Sequence, residues 1–385
     1  MGTETKRRLP RNPFLDAVRK SGLLAPDDLI GVLSQYDPEQ VAAADPINIA
    51  TFLVRKKLLT KFQAMQLLNG RTQGFVLGKY KILDGIRQDR VGMVFLAENA
   101  ESKQRVSVKV LPTERVADNT VYKVFVEEVK AAAQVRHANL ARILDMDVRN
   151  GTHFVVTEHV PVPTLDKVLA EKGPLEPHAA AQVVAQVAVG LLFAHRKNVL
   201  HRDVKPGNLA VLPDGRVKLI DLGLTHMLEN PWQEATRRFD LKEYADEIAH
   251  IAPEQAWGCE LDARSDIYSL GSTFYTLLTG RVPFPGLAVQ SMTERQTRDV
   301  PRPSAVRPGV LREIDELVGR MGAKDPRDRF ASVAELLTAM QGWLPVAEWA
   351  TLGLAADPKP AGRKPESAAK GRGFFARLFG RLLRR

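Results

Sequence analysis

One short polar stretch, His201 to Asn208, most constrains what this chain can fold into. It reads His-Arg-Asp-Val-Lys-Pro-Gly-Asn, and two short apolar runs that predict paired strands separate it from Asp221, in an Asp-Leu-Gly sequence. Asp203 is a carboxylate that can accept a hydroxyl proton, and Lys205 is a cation that can meet a phosphate. Asn208 and Asp221 offer oxygen atoms, the ligands that Mg²⁺ prefers. The stretch therefore holds the groups that phosphoryl transfer from ATP requires.

The same stretch resembles the H-R-D-x-K-P-x-N signature of eukaryotic-like (Hanks-type) bacterial Ser/Thr protein kinases, with Asp-Leu-Gly in place of the commoner Asp-Phe-Gly. The match continues in the expected order over residues 80–344. The lead into the first predicted strand, Gly74 to Tyr80, resembles planctomycete members. The resemblance implies an α+β fold with two lobes, a small β-rich N-lobe and a larger helical C-lobe. It also implies ATP and Mg²⁺ as cofactors and protein substrates as partners.

The resemblance assigns roles residue by residue. It makes Asp203 the catalytic base and lets Lys205 steady the transferring phosphoryl group, with Asn208 and Asp221 as the Mg²⁺ ligands. The positions that correspond to the ATP-binding residues of the loop, strand, helix and hinge are Gly92, Val94, Lys109, Glu128, Glu158 and Val160. The positions with implied structural or regulatory roles are His201, Arg202, Gly223, Thr236, Glu254, Asp266 and Arg329.

Four of these roles imply specific contacts. Lys109 is expected to pair with Glu128, and Arg329 with Glu254. Asp266 is expected to be a buried carboxylate that steadies the catalytic loop. Arg202 is the residue type that pairs with a phosphorylated activation segment, where Thr236 is an available acceptor.

The phosphate-covering loop departs from the family pattern. The family reads G-x-G-x-x-G-x-V there, because glycine lets backbone N–H groups approach the phosphates closely. Here the three glycine positions fall on Arg87, Asp89 and Gly92, while Val94 is kept. A carboxylate about 4 Å from a phosphate costs roughly 1 kcal/mol in water and about 4 kcal/mol at an effective dielectric of 20. We therefore expect weaker nucleotide binding rather than none.

The end of the activation segment departs as well. The family usually has G-T-P-x-Y, whereas this chain has Asp-Glu-Ile-Ala-His at 246–250. Glu247 replaces a threonine that normally hydrogen-bonds near the catalytic residues, so it could pair with Lys205, repel Asp203 and block peptide substrates. Alternatively, the segment takes another path and Glu247 points to solvent.

The chain outside the kinase-like region, 76–345, falls into several parts. Residues 1–75 predict a helical module with candidate helices at 13–20, 26–36, 47–57 and 60–69. Thr60 and Gln63 form the pattern of a capping box at the start of the last helix. The module is either a paired helical hairpin used for docking or regulation, or a stabilising cap on the next domain.

The C-terminal tail carries most of the net charge of +10, because residues 359–385 hold nine Lys or Arg and one acidic residue. A flexible linker is predicted at 355–373, followed by a basic amphipathic helix at 374–385. This helix is interpreted as an anchor on an anionic membrane surface, as a ligand for an acidic partner, or as a helix docked on its own kinase domain. The nearly neutral body argues against a nucleic-acid partner.

Three features bear on where the protein works. The charged N-terminus has no apolar run behind it and does not resemble a signal peptide. The apolar window at 179–194 is too short to span a bilayer and predicts a buried helix. Cys259 is the only cysteine, which excludes an internal disulfide and fits a reducing compartment. We expect a cytoplasmic protein, peripheral to the inner face of the membrane if the tail is an anchor.

Two functional hypotheses follow. The first is an active Ser/Thr protein kinase in signalling, because the catalytic groups Asp203, Asp221 and Lys109 are all retained. The second is a pseudokinase or weakly active kinase-fold scaffold, which the altered loop and Glu247 favour. Retention of the catalytic groups makes the first hypothesis the preferred one.

Overall fold

The computed structural model describes residues 11–88, 92–113, 116, 119–224, 245 and 248–341. The expectations for Asp89, Thr236, Glu247, the linker and the basic tail concern residues outside these ranges and stay predictions. The chain divides into two compact units, here called the sheet unit (Met1–Thr113 with Leu144–His159) and the helical unit (Glu114–Ile143 with Val160–Arg385).

The sheet unit contains a six-stranded sheet with the strand order β1-β2-β3-β4-β6-β5. Its strands are β1 (Val76–Leu77), β2 (Tyr80–Gln88), β3 (Met93–Asn99), β4 (Arg105–Val110), β5 (Ile143–Arg149) and β6 (Thr152–Glu158). Side chains alternate between the two faces of a strand, so every second residue can enter the core. This alternation places Val106, Val108, Phe154 and Val156 together in one buried cluster. The pairing of β2 with β3 shifts register twice, between Ile82 and Asp84 and between Gly85 and Arg87.

The N-terminal module is a bundle of five short helices with its own apolar core. The helices are α1 (Pro13–Ser21), α2 (Pro26–Leu33), α3 (Pro38–Ala43), α4 (Pro46–Arg55) and α5 (Lys61–Leu68). The predicted helix at 26–36 stops at Leu33, and α3 was not predicted. Asp37 starts α3 by accepting a hydrogen bond from the Glu39 N–H, with Pro38 at the first helical position. The predicted capping box is confirmed by reciprocal bonds between Thr60 and Gln63.

Helix α5 attaches the module to strand β2. The Thr60 hydroxyl donates to the Leu83 carbonyl at 2.6 Å, and the Gln63 side-chain amide donates to the Ile82 carbonyl. The Phe62 ring lies 6.2 Å from the ring of Phe95 in β3, measured between centroids. These contacts fit the interpretation of the module as a stabilising cap.

The Phe62 ring also covers Gly85 of β2, which lies between the two register shifts. A methyl group built on Gly85 would lie 3.4 Å from the Phe62 ring. Elsewhere on the module, the Lys81 ammonium of β2 donates to the Leu23 carbonyl at 3.0 Å. The module therefore contacts β2 at several separate points along the strand.

The helical unit has one large apolar core, at which α8 and α10 are buried along most of their length. Its helices are α6 (Asn119–Ala133), α7 (Leu165–Lys172), α8 (Pro177–His195), α9 (Pro253–Ala256), α10 (Ala263–Thr279), α11 (Ala288–Thr297), α12 (Arg312–Met321) and α13 (Val333–Ala339). The strands β7 (Leu209–Val211) and β8 (Val217–Leu219) form an antiparallel hairpin. Among the described residues, α8 is the helix long and apolar enough to cross a membrane by composition, and 78% of that window is buried inside the protein. The prediction of a buried helix at 179–194 is confirmed.

Replacing Phe62 by alanine tests the attachment of the module to the sheet. Full burial makes a Phe→Ala change cost 3–5 kcal/mol, and Phe62 is half-buried, so we expect a loss of about 2 kcal/mol in the free energy of unfolding. The measurement is urea denaturation followed by circular dichroism. Met65→Ala is the matched control, because Met65 lies on the same helix and is 57% exposed. Equal stability of the two variants would contradict a packed attachment.

Candidate active site

The catalytic loop, residues 201–208, precedes β7 and ends in a 3₁₀ turn. Within it, Lys205 Nζ lies 2.9 Å from Asp203 Oδ2. The side-chain amide of Asn208 donates to the same carboxylate oxygen and to the Asp203 carbonyl, both at 2.8 Å. The structure thus brings the predicted base, the predicted cation and one predicted metal ligand into direct contact.

A buried carboxylate, Asp266 on α10, holds the backbone at the start of this loop. It accepts hydrogen bonds from the N–H groups of His201 at 2.8 Å and Arg202 at 2.7 Å. His195 Nε2 lies 2.7 Å from the same carboxylate. Burial raises the pKa of Asp266, but the hydrogen bonds from the His195 side chain and the His201 N–H act in the opposite direction, and the pKa lies below its usual value. The predicted steadying contact is present, and His195 is a contributor that sequence reasoning missed.

His201 links the loop to the residue before Asp221. Its Nε2 donates to the Ile220 carbonyl at 2.8 Å, and its Nδ1 accepts from the Asp203 N–H at 3.2 Å. One nitrogen donates while the other accepts, which assigns the neutral ring with the proton on Nε2. The histidine of the motif is thus a structural link between the base and the second metal ligand.

Two backbone positions at the site have unusual dihedral angles for residues other than glycine. Arg202 has φ of 65° and Asp221 has φ of 67°. Such conformations cost of order 1–3 kcal/mol each and persist where the surroundings fix them. Gly223 has φ of 71°, and a methyl group there would lie 2.8 Å from the Ala132 side chain. The glycine of the Asp-Leu-Gly motif is therefore required by both conformation and space.

The guanidinium of Arg202 pairs with Glu128, which lies on α6 in the same unit, at 2.9 Å. This contact differs from the expected partner of Arg202, a phosphate on the activation segment. The backbone carbonyl of Arg202 also accepts from the Gln255 side-chain amide at 2.8 Å. Arg202 is therefore connected both to the helix that carries Glu128 and to the helix after the activation segment.

The predicted pair of Arg329 and Glu254 is present as a two-pronged contact. Arg329 Nη1 and Nη2 donate to the two Glu254 carboxylate oxygens at 2.6 and 2.9 Å. Ser265 of α10 donates to Glu254 Oε1 at 2.8 Å. The Arg329 side chain is fully buried, and its remaining bonds go to backbone carbonyls. This pair fixes the start of α9 in the helical unit.

The sheet unit carries the residues expected to meet the phosphates. Lys109 lies on β4 between Val94 of β3 and Val155 of β6, and is 4% exposed. A methyl group on Gly92 would lie 2.0 Å from the Val110 carbonyl oxygen, so the retained third glycine is required by its contact with β4. Arg87 lies within β2, opposite Val94, rather than in the turn.

The two residues expected at the hinge, Glu158 and Val160, belong to different units. Glu158 is the last residue of β6 and pairs with Val106 of β4. Val160 is half-buried and is the first residue of the second stretch of the helical unit.

His250, in the segment before α9, is buried and has a neutral ring. Burial, with the charges of Lys205 and Arg295, lowers the pKa of His250 to about 3. Its Nδ1 lies 3.0 Å from the Ser272 hydroxyl. The unfolded chain accepts a proton on this ring below about pH 6.5, whereas the folded chain does not. Protonation of His250 therefore favours the unfolded chain below about pH 6.5. The free energy of unfolding falls as the pH is lowered from about 6.5 towards 3.

His250→Asn should therefore flatten the pH dependence of stability. We expect the loss of stability between about pH 6 and pH 4 to become shallower by up to about 1.4 kcal/mol per pH unit, the value for one proton. Urea denaturation at several pH values measures this slope. His178→Asn, which changes an exposed histidine on α8, should keep the wild-type slope. An unchanged slope in the His250 variant would contradict the burial of a neutral ring.

Comparison with known proteins gives a consistent result. The family described as "Protein kinase domain" matches residues 80–340. The serine/threonine-protein kinase PknL of Mycobacterium tuberculosis is 35% identical over 255 residues, which cover 66% of this chain and 62% of PknL. PrkC of Bacillus subtilis is 29% identical, over 68% of this chain and 40% of PrkC. The chain thus matches less than two thirds of the length of these relatives.

The fold of this chain is similar to that of a solved bacterial kinase domain. A crystal structure of the M. tuberculosis PknI kinase domain superposes with a TM-score of 0.57 at 25% identity, and covers 69% of this chain and 96% of that domain. The predicted α+β two-lobed kinase fold with an N-terminal helical extension is confirmed. Protein kinases in general use ATP with a divalent metal and act on proteins. With its catalytic loop, its matched region and these relatives, the chain belongs to the protein kinase family, among its eukaryotic-like bacterial Ser/Thr members.

Proposed function

We propose that this protein is an active Ser/Thr protein kinase that transfers the γ-phosphoryl group of ATP to Ser or Thr hydroxyls of other proteins. The observation that carries the proposal is the arrangement around Asp203, whose carboxylate is held by Lys205 at 2.9 Å and by the Asn208 amide at 2.8 Å. A scaffold without turnover has no need of a base oriented in this way. The bacterial Ser/Thr kinases among its relatives support the same function.

Asp203 accepts the proton of the acceptor hydroxyl in this proposal. The two hydrogen-bonded groups fix the rotamer of its carboxylate, and a fixed acceptor needs no reorganisation during the reaction. Lys205 is 16% exposed at its side chain, so its charge is poorly screened by water and can stabilise negative charge on the transferring group. The neutral His201 and the buried Asp266 keep the loop backbone in place from behind.

The residues present fit a divalent metal. Asn208 uses its amide nitrogen towards Asp203, which assigns the amide oxygen as the atom available for a cation. Asp221 adds a carboxylate, and both are hard oxygen donors in the helical unit. Asn208 and Asp221 would hold Mg²⁺, which when bound neutralises charge on the ATP phosphates. Lys109 would bind the phosphates, and the backbone at Glu158 and Val160 would meet the adenine.

We further propose that the protein works in the cytoplasm and that its basic tail binds the anionic inner face of the membrane. The support is sequence alone: residues 374–385 repeat apolar side chains at helical spacing, with arginines elsewhere on the wheel. The linker at 355–373 gives the tail reach. An acidic protein partner is the alternative for the same charges.

Asp203→Asn tests the proposed catalysis. We expect incorporation of radiolabelled phosphate from ATP into dephosphorylated casein to fall by about 10²–10⁴-fold, because the amide cannot accept the hydroxyl proton. Asp214→Asn is the control, since this exposed aspartate lies in the β7–β8 turn and pairs with the nearby Arg216. Wild-type labelling equal to that of the Asp203 variant would overturn the kinase proposal and favour the pseudokinase.

Asp221→Asn tests the metal site separately from catalysis. Binding of a fluorescent ATP analogue in the presence of Mg²⁺ should weaken by about tenfold or more, about 1.4 kcal/mol, because a carboxylate ligand is lost. With EDTA in place of Mg²⁺, the variant and the wild type should bind the analogue equally. Equal binding in Mg²⁺ would exclude Asp221 as a ligand.

Removal of residues 372–385 tests the tail. The full chain should co-sediment with vesicles of phosphatidylcholine and phosphatidylglycerol at low salt, and the truncated chain should not. Vesicles of phosphatidylcholine alone are the control for charge. Equal sedimentation of both chains with anionic vesicles would rule out the membrane proposal.

A further inference from the structure

Arg295, on α11, is the largest fully buried side chain among the described residues. Arginine is almost never buried without partners, because its charge loses hydration inside a protein. Burial lowers the pKa of Arg295, with the Tyr268 hydroxyl acting in the opposite direction. An interior arginine of this kind needs hydrogen-bond acceptors that satisfy its fixed, planar set of donors.

Two of the four acceptors of Arg295 lie in one distant segment, the stretch that precedes α9. Nη1 donates to the backbone carbonyls of Ile248 at 2.7 Å and Ile251 at 2.9 Å. The other bonds stay within α11: Nη2 donates to the Ser291 hydroxyl at 2.7 Å, and Nε to the Ser291 carbonyl. Because one planar guanidinium nitrogen bridges two carbonyls three residues apart, it fixes the turn between them. This turn overlaps residues 246–250, one of the two stretches whose sequence departs from the family pattern.

The same turn is connected to the catalytic loop. His250, inside the turn, contacts Ser272 of α10 at 3.0 Å, and the next residue along α10, Thr273, donates its hydroxyl to the Val204 carbonyl at 3.1 Å. Val204 lies between Asp203 and Lys205. Two neighbouring residues of the buried helix α10 therefore contact the turn and the backbone next to the base: Ser272 contacts the turn, and Thr273 contacts the catalytic loop.

Helix α11 makes further contacts with the segment and with α9. Gln296 donates to the Pro253 carbonyl at 2.7 Å. An apolar cluster joins residues of the segment and α9 to residues of α11, namely Ala245, Ile248, Ile251, Ala256, Ala288 and Met292. Arg295 is thus the polar centre of an otherwise apolar attachment between α11 and the segment.

We propose that Arg295 is a positioning residue for the protein substrate, which it serves by fixing residues 248–251 in register with the catalytic loop. The inference rests on the proposed kinase function, since the substrate is the acceptor protein. The segment leads directly into Glu254, which Arg329 holds from the other side. Arg295 and Arg329 together fix both ends of the stretch from Ile248 to Glu254.

Arg295→Met and Arg298→Met form the test pair. Arg295→Met removes the four hydrogen bonds and keeps an apolar side chain of similar length, whereas Arg298 follows the same helix, with its side chain 71% exposed. For Arg295→Met we expect the KM for dephosphorylated casein to rise by about tenfold or more, because buried bonds from a charged donor are lost. The KM for ATP should stay within about twofold of the wild type, since the ATP residues are not touched. Arg298→Met should change neither constant.

Hydrogen exchange of the full chain gives a readout that does not require activity. In Arg295→Met, the amides of residues 248–256 should exchange faster than in Arg298→Met, while the amides of α8 should keep wild-type protection. If the wild type transfers no phosphate, the proposed function fails, but exchange still decides the role of Arg295. If Arg295→Met does not fold, Ser291→Ala takes its place. Ser291→Ala removes only the bond to Nη2, so the amides of residues 248–256 should exchange faster than in the wild type, but by a smaller factor.

Two results would overturn the proposal. One is unchanged exchange at residues 248–256 in a folded Arg295 variant. The other is an equal rise of both KM values, which would indicate general loss of structure rather than misplacement of the acceptor. Arg295→Lys should restore part of the casein KM, because an ammonium can still reach one carbonyl.

Discussion

The structure of the site depends on one buried carboxylate. Asp266 has no exposed surface, and it accepts two backbone N–H groups of the catalytic loop as well as facing His195. An unpaired buried charge costs several kcal/mol, so this carboxylate is stable only if the loop closes over it in one conformation. The φ of 65° at Arg202 is maintained under this constraint. The position of Asp203, one residue later, follows from it.

Much of the fold was predictable because the informative residues either belong to the ordered motifs of the family or form a local pattern. The catalytic loop, the two-pronged pair of Arg329 with Glu254, and the buried helix at 179–194 all follow from motif order or apolar patterning. The capping box at Thr60 was predictable for the same reason, since both partners lie within one turn.

The contacts that sequence reasoning missed are mostly those made by charged side chains that no family motif pairs with each other. Neither the family motifs nor the local sequence indicates that Arg202 pairs with Glu128. The burial of Arg295 could have been inferred from the spacing of its neighbours. Ala288, Ser291, Met292 and Arg295 recur at the spacing of one helix face, and all four are buried. A charged residue on such a face is normally interpreted as solvent-exposed. The periodicity was the better guide.

The attachment of the N-terminal module has a practical consequence for dissecting this chain. The residues that match the kinase family begin at 80, but Thr60 and Gln63 satisfy carbonyls at Leu83 and Ile82, and Phe62 covers Phe95. A fragment cut at the family boundary would expose an aromatic face of the sheet to solvent, and exposed apolar faces promote aggregation. Poor solubility of such a fragment would then reflect the missing helix rather than an unstable kinase fold. The working boundary of the folded unit lies upstream of residue 80, where the match to the family begins.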